Sequence, residues 1–224
     1  MKRQVKTSEF ERRTRKFDVF TGRVHEEVVK QGSVFSVSPR VVCKACNSGW
    51  MSNLETRAIP ALKPMVEVRS LSLTADDAAL VATWAMKTAI IAQEVGERVT
   101  TRAQAKAFKA KQEPVPGTKI WLGEYDEKAR GNVWTFAWPW VEDYRKPELR
   151  ANSFLEIFAA GRLLLLVAAS RDPDFAGFEP MNRGKKRFVR IWPGPVAITW
   201  PPKLPTSDAE VVDIRQTFVV RLNS

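Results

Sequence analysis

The stretch 41-VVCKACNSGWMSNLE-55 contains the only two cysteines of the 224-residue chain, Cys43 and Cys46. Two thiols three positions apart can bind one tetrahedral metal ion together, but a structural zinc site takes four ligands. The usual second pair of cysteines is absent, and the only histidine is His25. The sequence therefore predicts half of a zinc site, or the remains of one, with Cys43 and Cys46 (the thiol pair) as its ligands.

The residues around the thiol pair predict a strand before it and a helix after it. β-forming residues recur from Phe17 to Val42 and are interrupted by glycine and proline. Ser48-Gly49 allows a turn, and residues 51–58 are predicted to form a short helix that ends before Pro60. A capping box of Ser8 and Glu11 predicts another short helix over residues 9–16.

Helical signals dominate the middle of the chain, and strand signals follow them. Thr74 is the expected N-cap of a helix over residues 75–95, and a second helix is predicted over residues 101–112. Beyond Pro116-Gly117 we predict three hairpins and then a last helix over residues 207–218 that packs on the sheet. Leu163–Val167 is continuously apolar, which favours a central strand covered on both faces. The hairpin strands are residues 119–125 with 132–138, 153–159 with 162–169, and 186–192 with 195–200.

These elements together predict an α+β protein in three parts. Residues 1–70 would form a small ββα module around the thiol pair, and residues 71–113 a helical segment. Residues 114–224 would form an antiparallel β-rich region with a terminal helix. The seam between the helical and β-rich parts is placed near residues 113–117, where prolines interrupt the helical pattern.

The charge balance favours a polyanionic partner. The net charge is +11 and the sequence pI about 9.9, which is typical of proteins that bind nucleic acid. No 18-residue uncharged apolar run is present and no apolar signal core follows the N-terminus, so we expect no membrane partner and a cytoplasmic location. The alternative is two solvated basic faces that only keep the protein soluble. The candidate phosphate-binding residues are Arg102, Lys106 and Lys109 (the basic stripe) together with Arg183, Lys185, Lys186, Arg187 and Arg190.

The segment around the thiol pair resembles the second half of an HNH-type treble-clef endonuclease module. It is most similar to uncharacterised bacterial and phage HNH-like proteins that carry a "VCKxCNxGWMxxLE" segment. Pro114–Gly123 and the late Trp192-Pro193 and Trp200-Pro201-Pro202 steps are similar to further parts of those proteins. The first Cys-x-x-Cys and the Glu-His step of that family have no counterpart before Cys43.

The resemblance implies metal-dependent phosphodiester hydrolysis. Cys43 and Cys46 would form one half of a structural zinc clip, and Asn47 would correspond to the residue that holds a catalytic Mg²⁺ or other divalent ion. His25 is the remaining candidate for the general base, although Glu26-Glu27-Val28 after it does not match the family's histidine motif.

Three interpretations follow for the whole chain. The preferred one is an HNH-related protein that binds DNA or another nucleic acid with impaired or absent nuclease activity. The second is an active endonuclease completed by an upstream extension, by a partner, or by a homodimer that shares its thiol pairs. The third is a non-enzymatic β-rich protein-interaction protein. A thioredoxin-like redox role has less support, because no Trp-Cys-x-x-Cys step lies at the strand-to-helix turn of a βαβ unit.

Overall fold

The computed structural model describes residues 10–17, 24–32, 42–67, 69–94, 98–126, 153–170, 179–180, 187–194, 197–207, 209–211 and 213–214, with the backbone alone for the first two ranges and for Ser153. Contacts within the chain divide it into two units, residues 1–40 and residues 41–224. The units are described in turn.

The first unit contains an antiparallel hairpin of β1 (Phe10–Phe17) and β2 (Val24–Gly32). The helix predicted over residues 9–16 is therefore wrong. An isolated helix of that length is marginal even with a capping box. The hairpin register places Arg15 opposite Glu27 and Lys16 opposite Glu26, and opposite charges facing each other across strands favour pairing. Strand β2 lies within the strand-like stretch from Phe17 to Val42, whereas the part directly before the thiol pair, residues 33–41, lies outside the described residues.

The second unit begins with a short helical turn, α1 (Lys44–Cys46), and a π-helical turn over Asn47–Met51. The remaining elements are α2 (Ser52–Val66), β3 (Leu71–Leu73), α3 (Ala75–Gln93), α4 (Arg102–Lys111), β4 (Thr118–Glu124), β5 (Ser153–Ala160), β6 (Leu163–Ser170), β7 (Phe188–Trp192) and β8 (Ile198–Trp200). None of the helices in the described ranges is both long and apolar enough to cross a bilayer.

Helix α2 continues through Pro60 and Pro64, so the predicted end before Pro60 is wrong. A proline inside a helix costs about 3 kcal/mol because it removes one hydrogen bond and clashes with the preceding turn. Apolar side chains on both sides of Pro60 offset that cost, since they form one buried stripe against the rest of the unit. The stripe consists of Leu54, Ala58, Ala61, Leu62 and Met65.

Helix α3 begins as predicted at the Thr74 cap, where the Thr74 hydroxyl and the Asp77 carboxylate form a capping box. The helix packs against α2 and lies on β6 and β7. Small buried residues line this face and let the helix approach the sheet closely: Ala78, Ala82, Ala85 and Ala89. The same core includes the helical segment 71–113 and the strands beyond residue 114, across the predicted seam.

The main sheet is antiparallel with the order β5-β6-β4-β7. Strand β6 lies between β5 and β4 and is buried along its whole length, which confirms the prediction of a central strand covered on both faces. The hairpin of β5 and β6 is also confirmed. Its turn contains Gly161 at φ +56°, where an added Cβ would lie 2.3 Å from the Val66 carbonyl oxygen at the end of α2.

The third predicted hairpin is wrong, although both of its strands exist. Strand β7 pairs with β4, whereas β8 pairs with β3 in a separate two-stranded sheet. Pairing with β3 places Ile198 and Trp200 beside Leu73 in the core between the helices and the main sheet, so burial of apolar area selects this partner. The predicted strand 132–138 lies outside the described residues.

The main sheet is covered on both faces. One face packs against α2 and α3, and the other carries a second apolar cluster around Trp121, Leu166, Val211 and Ile214. Val211 and Ile214 belong to the last helix, whose start is fixed by Ser207 and Glu210 in reciprocal hydrogen bonds. The prediction that this helix packs on the sheet is confirmed for its described residues. The chain is therefore an α+β protein with antiparallel sheets.

Candidate thiol and basic-helix site

The thiol pair lies where extended backbone becomes helical. Cys43 is extended (φ −66°, ψ 152°), and its Sγ accepts a hydrogen bond of 3.3 Å from the backbone N–H of Cys46. The sulfur of Cys43 therefore caps α1. Cys43 is exposed and Cys46 is half-buried. Cys43 lies close enough to Cys46 to lower the pKa of the Cys46 thiol.

The residues after the pair turn the chain into α2. Gly49 leaves helical conformation (φ −100°, ψ −114°) and separates the short turn of the thiol pair from the long helix. Trp50 then packs edge-on against Phe108 of α4, with ring centroids 5.9 Å apart and an interplanar angle of 71°. Phe108 is the only buried residue of α4. This aromatic contact holds α4 beside the thiol pair.

The surroundings of Cys46 favour negative charge on its sulfur. A hydrogen bond with Cys43 contributes most to lowering the pKa of Cys46 below its ordinary value, and partial burial acts in the opposite direction. The Trp50 indole and the Lys109 ammonium lower the pKa of Cys46 further, the latter both by its charge and as a hydrogen-bond donor. By hydrogen-bond geometry, the buried indole nitrogen of Trp50 has no partner among the described residues.

The basic stripe lies on the exposed surface of α4. Arg102, Lys106 and Lys109 are all exposed, and their spacing along the helix places them on one face. Thr101 and Gln104 form the capping box that begins the helix, and the cations of its last turn complement the helix dipole. The charge of Lys109 lowers the pKa of Cys46, so the basic stripe adjoins the thiol pair.

The second predicted cluster is engaged in internal ion pairs where it is described. Arg187 has 15% of its side chain exposed, pairs with Glu210 at 2.8 Å and donates to the Pro205 carbonyl. Arg190 pairs with Glu179 at 3.0 Å. These contacts connect β7 to the last helix and to Glu179. Arg183, Lys185 and Lys186 lie outside the described residues.

The two predicted catalytic residues belong to different units. Asn47 follows the thiol pair directly, has an exposed side chain, and donates its backbone N–H to the Cys43 carbonyl at 3.0 Å. His25 lies in β2, and its side chain is outside the described part of the structure.

The described residues supply only part of the donor set that a structural zinc ion needs. In the ranges given above, no cluster of three or more His, Cys, Asp or Glu side chains could hold a metal ion. Cys43 and Cys46 therefore provide two thiolate donors out of the four that a structural zinc site takes.

Sequence reasoning missed the contacts that assemble this surface. The signal for one of them was present: a single phenylalanine on an otherwise polar and small-residue helix requires an apolar partner. Nothing in the sequence connects Glu55, inside the family-like segment, with Lys87 on α3. Yet the Lys87 ammonium, on a side chain only 6% exposed, pairs with Glu55 at 2.5 Å and lies 5.6 Å from the ring centre of Trp84. This pair fixes α2 on α3.

A second chemically distinctive group, also missed, is the carboxyl of Glu156. It is fully buried on β5, and neither oxygen has a hydrogen-bond partner among the described residues. Burial raises the pKa of Glu156 to about 8. The group is therefore predominantly protonated at neutral pH.

Comparisons with protein-family models, with curated proteins and with solved structures found no match to this chain.

Proposed function

We propose that the protein is an HNH-related nucleic-acid-binding protein whose nuclease activity is impaired or absent. The observation that supports this proposal best is the single surface formed by the thiol pair and the basic stripe. Lys109 of the basic stripe lowers the pKa of Cys46, and the contact of Trp50 with Phe108 holds α4 beside the thiol pair. The segment that resembles the nuclease module thus adjoins an exposed cationic helix.

The stripe has a length that suits a phosphate backbone. From Arg102 to Lys109 the helix rises about 10 Å at 1.5 Å per residue. That distance spans about three phosphates of one strand of B-DNA, which follow each other every 3.4 Å along the axis. Lysine and arginine side chains that reach only phosphates fix the position of a protein on nucleic acid and carry little sequence information. We therefore expect binding that is electrostatic and indifferent to sequence.

Within the described ranges, no ion pair with a carboxylate engages the basic stripe, in contrast to Arg187. Arg102, Lys106 and Lys109 are exposed, whereas Arg187 is mostly buried against Glu210. The α4 surface is accordingly the part of the predicted cationic surface that we assign to phosphate.

The test is fluorescence anisotropy of a labelled random-sequence duplex over a range of salt concentrations. Replacing Arg102, Lys106 and Lys109 together by glutamine should make the plot of log affinity against log salt shallower by about 2 to 3 units, at about 0.9 per phosphate contact. A triple variant with glutamine at Arg57, Lys63 and Lys203, three exposed cations elsewhere, removes the same charge and should keep most of the slope. Equal losses in both variants, or a wild-type affinity independent of salt, would contradict the proposal.

A second candidate function is an active metal-dependent endonuclease, which the exposed side chain of Asn47 next to the thiol pair favours. In that case Asn47 would help to hold a divalent ion, which would stabilise the charge that develops on the scissile phosphate. Nicking of supercoiled plasmid with Mg²⁺, Mn²⁺ or Zn²⁺ tests this function, with Asn47→Ala as the control. Nicking that survives this substitution unchanged would remove Asn47 from the reaction. If the protein neither binds nor nicks DNA, the protein-interaction alternative remains.

A further inference from the structure

We propose that the hairpin of β1 and β2 is a second nucleic-acid contact: a two-stranded ribbon that binds in the major groove of duplex DNA, with Arg12 and Lys30 on the phosphates. The observation that carries this inference is the position of these two cations directly opposite each other across the strands. The inference rests on the proposed binding of nucleic acid and adds a surface in the other unit of the chain.

The register of the hairpin decides which residues share a face. Residues directly opposite each other in an antiparallel pair lie on one face, and successive residues of a strand alternate between the two faces. The register is unbroken from Phe10 to Lys16, so one face receives Arg12, Thr14 and Lys16 from β1. Their partners on that face are Lys30, Val28 and Glu26 of β2.

The Arg12–Lys30 pair has no acidic neighbour on its face within the two described strands. Like charges directly opposite each other destabilise an antiparallel pair. The flanking positions on that face are uncharged: Phe10, Thr14, Val28 and Gly32. Lys16, by contrast, lies opposite Glu26. An anion bound at the Arg12–Lys30 pair would relieve a repulsion that the hairpin itself does not balance.

The opposite face of the hairpin is balanced. It receives Glu11, Arg13 and Arg15 of β1, and Arg15 lies opposite Glu27 of β2. Two cations therefore share this face with two carboxylates, whereas the first face has three cations and one carboxylate. The excess of positive charge on the first face favours a polyanionic partner there.

The two-stranded form of the hairpin favours the groove of a DNA duplex. The major groove of B-DNA is about 12 Å wide and admits a ribbon of two strands, which lie about 5 Å apart. The major groove of an RNA duplex is deep and narrow. A ribbon with one unbalanced cation on each strand suits a groove that has phosphates on both sides, whereas a single nucleic-acid strand offers only one line of phosphates.

The experiment measures the fluorescence anisotropy of a labelled random-sequence duplex, and of one of its strands alone, with the full-length protein over a range of salt concentrations. Replacing Arg12 and Lys30 together by glutamine should make the plot of log affinity against log salt shallower by about 2 units for the duplex, at about 0.9 per phosphate contact. For the single strand the change should be less than about 1 unit. Arg13→Gln with Arg15→Gln removes the same charge from the opposite face and should change the duplex slope by less than about 1 unit.

Arg12→Glu separates a loss of binding from a loss of fold. The substitution turns a like-charge pair into an opposite-charge pair, which stabilises an antiparallel hairpin. Amide exchange along β1 and β2 should therefore slow or stay unchanged, while the duplex slope becomes shallower by at least about 1 unit. Weaker binding together with faster exchange would show that Arg12 supports the fold, and would overturn its assignment to phosphate.

Dimethyl sulfate locates the ribbon on the duplex, because it methylates guanine N7 in the major groove and adenine N3 in the minor groove. Wild type should protect guanine N7 more strongly than the variant with glutamine at Arg12 and Lys30, and both proteins should protect adenine N3 equally. A difference at adenine N3 alone would overturn the assignment to the major groove.

Three slopes would overturn the proposal: a duplex slope unchanged by glutamine at Arg12 and Lys30, an equal loss in the variant of the opposite face, or an equal loss with the single strand. If only this inference is wrong, the duplex slope still becomes shallower on replacement of Arg102, Lys106 and Lys109. If the proposed function is wrong, wild type itself shows no salt-dependent affinity for the duplex, and both proposals are overturned.

Discussion

The buried carboxyl of Glu156 should make the folded protein less stable as pH rises from acid to neutral. Glu156 lies on β5, on the sheet face that packs against α2 and α3, directly opposite Val167 of β6. Its side chain is fully buried, and its oxygens lack hydrogen-bond partners within the described ranges. Burial of a carboxylate without a partner disfavours its charged form. The native state therefore holds a proton that the unfolded chain releases.

The pKa values set the size and the sign of the effect. Burial raises the pKa of Glu156 from 4.5 to about 8. Below pH 4.5 both states carry the proton and no stability is lost. Between these two values the unfolded chain alone is ionised, so stability falls as pH rises. Since one pKa unit corresponds to about 1.4 kcal/mol, the loss by pH 7 is on the order of 3 kcal/mol. That is a large share of the roughly 5–15 kcal/mol by which a domain is stable.

Urea unfolding at several pH values measures this loss. Glu156→Gln keeps the shape of the side chain and cannot ionise, so the difference in unfolding free energy between the two proteins isolates Glu156 from all other titrating groups. Between pH 4.5 and pH 7 the variant should gain on the order of 3 kcal/mol relative to wild type. Glu113→Gln, at an exposed glutamate, is the matched control and should give no comparable trend. A difference between wild type and the Glu156→Gln variant that stays constant over this pH range would refute the reasoning.

Three further predictions concern the contacts that hold the helices in place; urea unfolding measures the stability change in each, and amide exchange is a second measurement for Phe108→Ala. Glu55→Gln should destabilise the protein by about 1–3 kcal/mol because it leaves the buried ammonium of Lys87 without its counter-charge. Adding Lys87→Met should recover most of this loss. A double variant as unstable as the sum of the two single variants would count against coupling between the two residues. Phe108→Ala should cost about 3–5 kcal/mol and speed amide exchange along α4, whereas unchanged exchange there would show that the aromatic contact does not anchor the helix. Gly161→Ala should cost more than about 1 kcal/mol, since a side chain at positive φ would also meet the Val66 carbonyl; a neutral result would exclude the tight turn.

Elements with signals inside their own sequence were predicted closely. The Thr74 capping box and the apolar pattern after it place the start of α3, and the capping box of Thr101 with Gln104 begins α4 within one residue of the predicted start. The apolar run Leu163–Val167 identified the central strand. In each case the decisive interactions join residues only a few positions apart or depend on side-chain periodicity, so the sequence displays them directly.

Elements that depend on distant partners were predicted poorly. The end of α2 was misplaced because the cost of Pro60 is local, whereas the compensating burial of Met65 and its neighbours is tertiary. Strands β7 and β8 were recognised but wrongly paired, since adjacent strands in the chain need not be adjacent in a sheet. The residues 9–16 carry a helix signal that cross-strand pairing overrides.

In the candidate site, too, some features follow from the sequence and others only from the tertiary structure. The sequence by itself determined that two thiols lie three positions apart at the start of a helical segment, and that α4 carries three cations on one face, because helical geometry fixes both spacings. Only the tertiary structure decided that Lys109 lies beside Cys46. That proximity arises from the packing of Trp50 against Phe108, residues far apart in the chain, and contacts of this kind form only when apolar side chains find a common buried position in the folded protein.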